Sequence, residues 1–307
     1  MLNNPMDILT QFPVRRNKKQ KKDFRDAVRE YTAGFGFDVT VEKGSYGCKN
    51  VVIGDPENAK YLVTAHYDTP ARMPFPNLIT PCNLWGYIGY QIFVVLVLLL
   101  PPVLPGLLVG YLTNNFQAGY FTWYLCFLAF FLLTIFGPAN PNNANDNTSG
   151  VVALLKILET LPAEYRENVC FVLFDLEEMG LVGSKFYQSV HKTSTEKQLV
   201  LNLDCVGDGD IMLAFPTKKL RKDPEKMEQL QKLINTQGSK RIGVHAGGFH
   251  IYPSDQRSFP YAVGIGAFHR GKCLGLYCNR IHTKRDTTLD EENVNILRDR
   301  LLAVITG

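Results

Sequence analysis

No charged side chain occurs between Arg72 and Asp146, and that gap limits what this chain can fold into. Within it, residues 84–112 are strongly apolar, broken only by Pro101, Pro102 and Pro105, and residues 116–136 are apolar throughout. About 20 such residues carry a helix across a bilayer. Trp85, Tyr87 and Tyr90 stand near the start of the first stretch, while Tyr111, Tyr120, Trp123 and Tyr124 flank a polar Asn114-Asn115 turn. Those are the positions that aromatic rings favour at a membrane interface. The prolines would kink the first helix, which is tolerable where a neighbour satisfies the freed carbonyls. A greasy lid or subunit interface is the competing explanation, but an interface carries charge at its rim. The pattern predicts a transmembrane helical hairpin over residues 83–137, which divides one domain into residues 1–82 and 138–307.

The flanking segments alternate between two periodicities. Short β-branched and apolar runs predict strands at 37–42, 50–53, 61–65, 169–174, 199–203, 241–245 and 261–268. Helical spacing appears at 17–33, from Val151 to a stop at Pro162, and at 181–190, 223–234 and 291–304. Strands alternating with helices imply a three-layer α/β domain with a largely parallel sheet. A net charge of +4 gives no support to nucleic-acid binding. Seven cysteines without a CxxC pair fit a reducing compartment, and Cys273 and Cys278 read as ordinary buried thiols. Residues 1–26 are polar and basic, so no signal peptide is expected there. Arg15, Arg16, Lys18, Lys19, Lys21 and Lys22 crowd the first helix, either as a solvated face or beside an anionic membrane surface.

Potential chemistry gathers at the ends of predicted strands. The run 169–174 stops at Glu177-Glu178, the place where open α/β sheets put their reactive groups. His66 and Asp68 follow the strand at 61–65, and Asp204 follows that at 199–203. Asp146 lies in the loop after the hairpin, and His282-Thr-Lys-Arg-Asp286 comes late in the chain. Two imidazoles and three carboxylates suit a pair of borderline cations such as Zn²⁺. One carboxylate can bridge two such ions, and an unligated Glu can then take a proton from water. Asp68, two residues beyond His66, is placed to hold the imidazole's second nitrogen.

Taken in order, H-x-D, N-D-x-x-S-G, E-E-x-G-L-x-G-S, an L-D strand end and H-T-x-x-D resemble the co-catalytic zinc aminopeptidases, metallopeptidase family twenty-eight. The likeness covers roughly residues 20–80 and 140–307. It implies a three-layer α/β/α zinc-exopeptidase-like domain with a mostly parallel mixed sheet, and removal of N-terminal residues from peptides with a free N-terminus. It also implies two Zn²⁺ ions, or other divalent metals. Asp146 would bridge the metals, one completed by His66 and Asp204 and the other by Glu178 and His282. Glu177 would be the general base, with Asp68 supporting His66. Glutaminyl cyclases of the same fold manage with one zinc and lack the first His, so His66 favours two metals and hydrolysis. Relatives resembling the transferrin receptor have lost ligands, whereas none is missing here.

Other positions carry weaker expectations. Gln256 stands after Ser254-Asp255 where the family commonly has His. His191, His245, His250 and His269 have no partner pattern and read as surface or core residues. Because His66 precedes the hairpin and Asp146 follows it, the insert must cross the membrane an even number of times. Positive charge at Arg72 and in the N-terminal region then places the catalytic domain on the cytoplasmic side, close to membrane lipid. Two other functions would use the same ligands: a membrane-anchored binding protein with a structural metal site, or a zinc hydrolase of non-peptide or C-terminal amides.

Overall fold

A computed structural model describes residues 2–307. Two helices, α1 (Ile8–Gln11) and α2 (Lys18–Ala33), precede strands β1 (Val39–Lys43), β2 (Lys49–Ile53) and β3 (Tyr61–His66). Three apolar helices follow: α3 (Leu84–Leu99), α4 (Val103–Thr113) and α5 (Phe116–Phe136). The chain then continues through α6 (Gly150–Thr160), β4 (Val169–Phe174), α7 (Val182–Val190), α8 (Lys192–Thr195) and β5 (Leu199–Leu203). It ends with β6 (Ile211–Pro216), α9 (Pro224–Gln231), β7 (Arg241–Val244), β8 (Ala262–Gly271), β9 (Gly275–Tyr277) and α10 (Glu291–Thr306).

All nine strands belong to one sheet, in the order β1-β2-β4-β3-β5-β8-β6-β7, with β9 paired to β8. Its centre, β4-β3-β5-β8, is parallel. These strands read as unbroken apolar runs because parallel strands are buried on both faces. The flanks are mixed: β1-β2, β2-β4 and β6-β8 are antiparallel. Strands β6 and β9, which the sequence does not reveal, supply two of the four antiparallel pairings. One face of the sheet is covered by α2, α6, α9 and α10, where Leu154, Leu155 and Leu158 share a core with Leu297 and Leu301. Tyr187 of α7 packs the other face with Phe174 and Phe259. The result is a three-layer α/β fold.

The segment 84–136 departs from this economy. Two helical arms, residues Leu84–Thr113 and Phe116–Phe136, are long and apolar enough to cross a membrane, and most of their surface is uncovered. Leu104, Leu112, Phe116 and Phe136 are all more than 60% exposed, and so many uncovered apolar side chains on adjoining helices mark a surface made for an apolar partner. The first arm is two helices rather than one kinked helix, because Pro101 and Pro102 break it between Leu99 and Val103. Arms α4 and α5 approach closely at glycines. A Cβ on Gly119 would lie 2.7 Å from the carbonyl oxygen of Gly106 and 3.0 Å from Cα of Gly110.

The basic cluster on α2 is neither wholly solvated nor wholly free for lipid. Lys21 is buried and pairs with Asp175 at 2.5 Å. Arg25 donates to the Tyr67 hydroxyl at 2.8 Å. Arg15 is fully buried and donates to the carbonyls of Tyr67 and Phe12 and to Thr148 Oγ1. Polar partners 42 to 154 residues away are invisible to a local reading of charge. Cys273 is exposed, not buried, whereas Cys278 is buried. Two histidines have acidic partners: His191 lies 2.5 Å from Glu57 and 2.8 Å from Glu42, and His269 3.0 Å from Asp208.

Candidate metal centre

The carboxyl ends of three adjacent strands, β4, β3 and β5, deliver the first donors. His66 ends β3, Asp204 follows β5, and Glu177 and Glu178 follow β4. The other two, Asp146 and His282, arrive from loops. All five residues expected as metal ligands, and Glu177, line one cavity of about 330 Å³.

Asp146 is the hinge of the arrangement. Its Oδ1 lies 3.4 Å from His66 Nε2, which is itself 3.7 Å from Asp204 Oδ1. Its Oδ2 lies 2.9 Å from His282 Nε2, which is 3.7 Å from Glu178 Oε2. Each carboxylate oxygen thus faces a different donor pair. His66, Asp146 and Asp204 form one group able to hold a metal ion, and Asp146, Glu178 and His282 another. Glu177 and Glu178 form a third such group with His66. Oδ1 of Asp204 is buried and has no hydrogen-bond partner among the described residues. A buried, unpaired carboxylate oxygen is costly in a protein interior, and a cation within this donor set would remove that cost.

The loop carrying Asp146 is tied on three sides. Asp286 accepts from the backbone N–H groups of Asn145 at 2.7 Å and Asp146 at 3.1 Å. Asn147 donates to the carbonyl of Leu203 and accepts from the N–H of Cys205, so it is clamped to the end of β5. Asn145 accepts from Gly207, and Ser149 from Val206. Gly150 must lack a side chain, because a Cβ there would collide with the carbonyl oxygen of Leu203 and the amide of Asn147. The N-D-x-x-S-G pattern is therefore a docking surface for β5 as well as the source of Asp146.

Asp68 has a different contact from the one expected. Its backbone carbonyl, 3.2 Å away, is the nearer partner of His66 Nδ1, while its carboxylate is 3.6 Å from the same atom. That carboxylate accepts from the N–H groups of Glu177 at 3.1 Å and Glu178 at 3.3 Å. One residue, through its carbonyl and its carboxylate, thus fixes the first histidine and both glutamates relative to each other. Leu176, Cys205 and His282 all have φ between 54° and 57°. Such left-handed non-glycine residues cost free energy and persist only where the surroundings impose them. Here they adjoin, or are, the donors.

The charges are strongly coupled to this enclosure. Burial pushes Glu178 up to about 8, partly offset by His282. Burial also raises Glu177 well above the ordinary range, against the pull of His66. Burial disfavours a charged His282, but Glu178 and Asp146 outweigh it and raise the imidazole to about 9. His66 is likewise raised despite burial, by Glu177, Asp146 and Asp204. Asp255, beside Gln256, is fully buried and pushed up to about 7 by that burial.

Several positioning groups escape a sequence reading. Asp286 belongs to the H-T-x-x-D run, but only the fold reveals that it carries the Asp146 loop. The Tyr252 hydroxyl donates to the backbone carbonyl of Asp204 at 2.7 Å, and no local motif signals that contact.

A three-layer α/β fold with metal-donor side chains at the carboxyl ends of its central strands is the arrangement of a metal-binding α/β enzyme. The chain belongs to Peptidase family M28, whose sequence signature matches residues 133–304. No curated protein matches it. Among solved structures it resembles the Legionella pneumophila LapA aminopeptidase at 15% identity and TM-score 0.59, covering 99% of this chain and 68% of that one. It also resembles the Porphyromonas gingivalis glutaminyl cyclase at 13% identity and TM-score 0.60, covering 99% and 97%. A leucine aminopeptidase precursor from Bacteroides thetaiotaomicron VPI-5482 matches at 14% identity and TM-score 0.58, covering 99% and 94%.

Proposed function

We propose that this chain is a membrane-anchored, zinc-dependent aminopeptidase that removes N-terminal residues from peptides. The observation that carries this reading is the split use of Asp146, whose two oxygens face separate donor pairs. His66 and Asp204 would complete one zinc site, and Glu178 and His282 the other. Zinc bound there would polarise the scissile carbonyl and make water nucleophilic near neutral pH.

The chain's own residues supply the remaining steps. Glu177 lines the cavity without being needed in either donor group, so it is the general base for the attacking water. Burial raises its proton affinity, the direction that favours a carboxylate taking a proton from water. Having taken the proton, Glu177 delivers it to the leaving amine. Asp68 orients Glu177 through the backbone, and does so for Glu178 as well.

The apolar arms support a two-pass anchor at residues 83–137, inserted between residues 1–82 and 138–307 of the catalytic domain. Arg16 donates to the carbonyl of Ile135 at the end of α5, at 2.5 Å. That contact sets positive charge at the near end of the hairpin, which supports a cytoplasmic catalytic domain beside the lipid headgroups.

The test is the full chain in detergent, assayed on aminoacyl arylamides with and without chelator, beside Glu177→Ala. Wild type should cleave, chelation should abolish cleavage, and E177A should lose about 10³-fold in kcat with its zinc content intact. Near-normal turnover in E177A would remove Glu177 from this role. Because glutaminyl cyclases share the fold, a peptide beginning with glutamine is the discriminating substrate. Release of free glutamine supports the peptidase; conversion to pyroglutamate would replace it with a cyclase.

A further inference from the structure

Building on the aminopeptidase reading, we infer that the hairpin is a wall of the substrate cavity as well as an anchor. In this inference Tyr87, Tyr90 and Gln91 select a bulky apolar residue at the substrate's N-terminus. These three residues line the same cavity of about 330 Å³ as the metal donors. Their spacing, i, i+3 and i+4, puts them on one face of α3. Gln91 is the sole amide side chain between Asn83 and Asn114, in a run otherwise apolar or aromatic apart from Thr113. A polar residue in such a helix turns toward protein or a water-filled cavity rather than lipid, and marks function.

The first two turns of α3 are fixed to the α/β body and can serve as a wall. Asn83 caps the helix by accepting from the Gly86 N–H at 2.9 Å, and its amide donates to the carbonyl of Leu274 at 3.2 Å. The Tyr90 hydroxyl donates to the carbonyl of Pro76 at 3.2 Å. Tyr90 stacks on Phe93, which meets Phe75 edge-on. Just before the helix, Ile79 bridges to Cys278 and the Pro81 carbonyl accepts from the N–H of Ile251.

Arm length supports the same placement. The first arm has 30 residues and the second 21. Helices α3 and α4 hold 16 and 11 of those 30 residues, on either side of the break at Pro101-Pro102. Since α5 has about the length one crossing requires, the longer first arm would leave its opening turns outside the bilayer beside the α/β body. Tyr87, Tyr90 and Gln91 lie in those turns. Beyond the metal donors and Glu177, the cavity lining contains no Lys, Arg, Asp or Glu among the described residues; Leu78, Ile79, Ile251, Phe268 and Ile281 are part of it. Such a lining rejects a charged side chain and rewards burial of an apolar one. The tyrosine rings and the methylene stem of Gln91 would cover the substrate's apolar side chain.

The experiment compares Leu, Phe and Ala arylamides on the full chain in detergent, with Gln91→Ala, Tyr87→Ala, Tyr87→Phe and Leu108→Ala. In Q91A and Y87A, kcat/KM for the Leu and Phe substrates should fall about 10-fold relative to Ala, mainly through KM. Zinc content and melting temperature should hold. Y87F, which keeps the ring, should restore the preference; L108A, on the exposed outer half of the hairpin, should not alter it. An unchanged Leu-to-Ala ratio in Q91A and Y87A, with cleavage retained, overturns this inference alone. A wild-type chain that cleaves none of the substrates overturns the aminopeptidase reading and this inference together.

Discussion

Asp146 and Tyr90 line one cavity under opposite constraints. Around Asp146 the loop is held by directed polar contacts from Asp286, Asn147, Asn145 and Ser149, on both sides of the bend that presents the carboxylate. Around Tyr90 the constraint is mostly contact between apolar rings, with one hydrogen bond at its hydroxyl. Hydrogen bonds in a buried loop admit one arrangement, and leaving one unmade is expensive. Ring packing on a half-open helix yields by degrees. Substitutions at the donor end should therefore act as switches, and those at the hairpin end as graded adjustments.

The sharpest test of that contrast is Asp146→Asn. It keeps the volume but removes the charge shared between two donor pairs. We expect zinc content to fall at both positions and activity to drop by about 10³-fold or more, the scale of losing a principal charge-stabilising element. Metal analysis of the purified variant decides it. Retention of one full equivalent of zinc would mean that the two groups do not share Asp146.

Asp286→Asn probes the support beneath it. The two Asp286 oxygens accept from the N–H groups of Asn145 and Asp146. An amide offers one oxygen and turns an NH2 toward the other N–H. Loss of such outer support costs about 10- to 100-fold in metal affinity, which competition with a chromogenic chelator measures. A variant that binds zinc as tightly as wild type would show that the loop holds its shape without Asp286.

This difference in constraint also explains what the sequence reveals. Donors fixed by short local motifs are legible: His66-x-Asp68, Asp146 with its Ser149-Gly150, Glu177-Glu178 and His282 each stand in a recognisable run. Strands β3, β4 and β5 are legible because burial on both faces leaves an unbroken apolar signal. Strand β6 is not, since Asp208 and Asp210 before it and Pro216 at its end resemble a loop; only its pairing with β8 makes it a strand. The service of Lys21 and Arg15 to the interior is hidden because their partners are remote. The apolar character of residues 84–136 is plain from composition, yet composition does not say which helix face meets the cavity.

Removal of metal should convert the donor end into a pH-sensitive element, with no such change in the hairpin. In the metal-free fold, burial raises Glu178 to about 8 and Asp286 to about 7, while their acidic neighbours raise His282 to about 9 against burial. Unfolding returns the acids to about 4 and the imidazole to about 6.5. The folded metal-free chain thus holds protons that the unfolded chain releases. Its stability is fullest below those unfolded values and is lost as pH rises through about 7 to 9. Against the pull of burial, Asp146 is held below the usual carboxylate range by the imidazoles, which works in the opposite direction but only below about pH 4. Zinc needs its donors deprotonated, so the loaded protein gains over the same window. The difference in melting temperature between zinc-loaded and chelated protein should widen from pH 6 to 8.5. A constant difference would mean that Glu178 and His282 are not ligands.

The smallest effect on catalysis is expected from Gly119→Leu. Nothing larger than hydrogen fits between Gly119 and the backbone of Gly106 and Gly110, so the side chain must push α4 and α5 apart. Close approach of small residues is what holds helices together in lipid, where no hydrophobic force acts between them. Overpacking costs about 1–3 kcal/mol, and here it falls on the part of the hairpin beyond the Pro101-Pro102 break. The break separates that part from the first turns of α3, which are tied to the α/β body at Asn83 and Tyr90. Hydrogen exchange should therefore quicken in α4 and α5, while zinc content and kcat/KM for a Leu arylamide stay within about twofold of wild type. A G119L chain that lost its zinc would show the two regions to be mechanically continuous, and the division between a switch-like donor end and a yielding hairpin would fail.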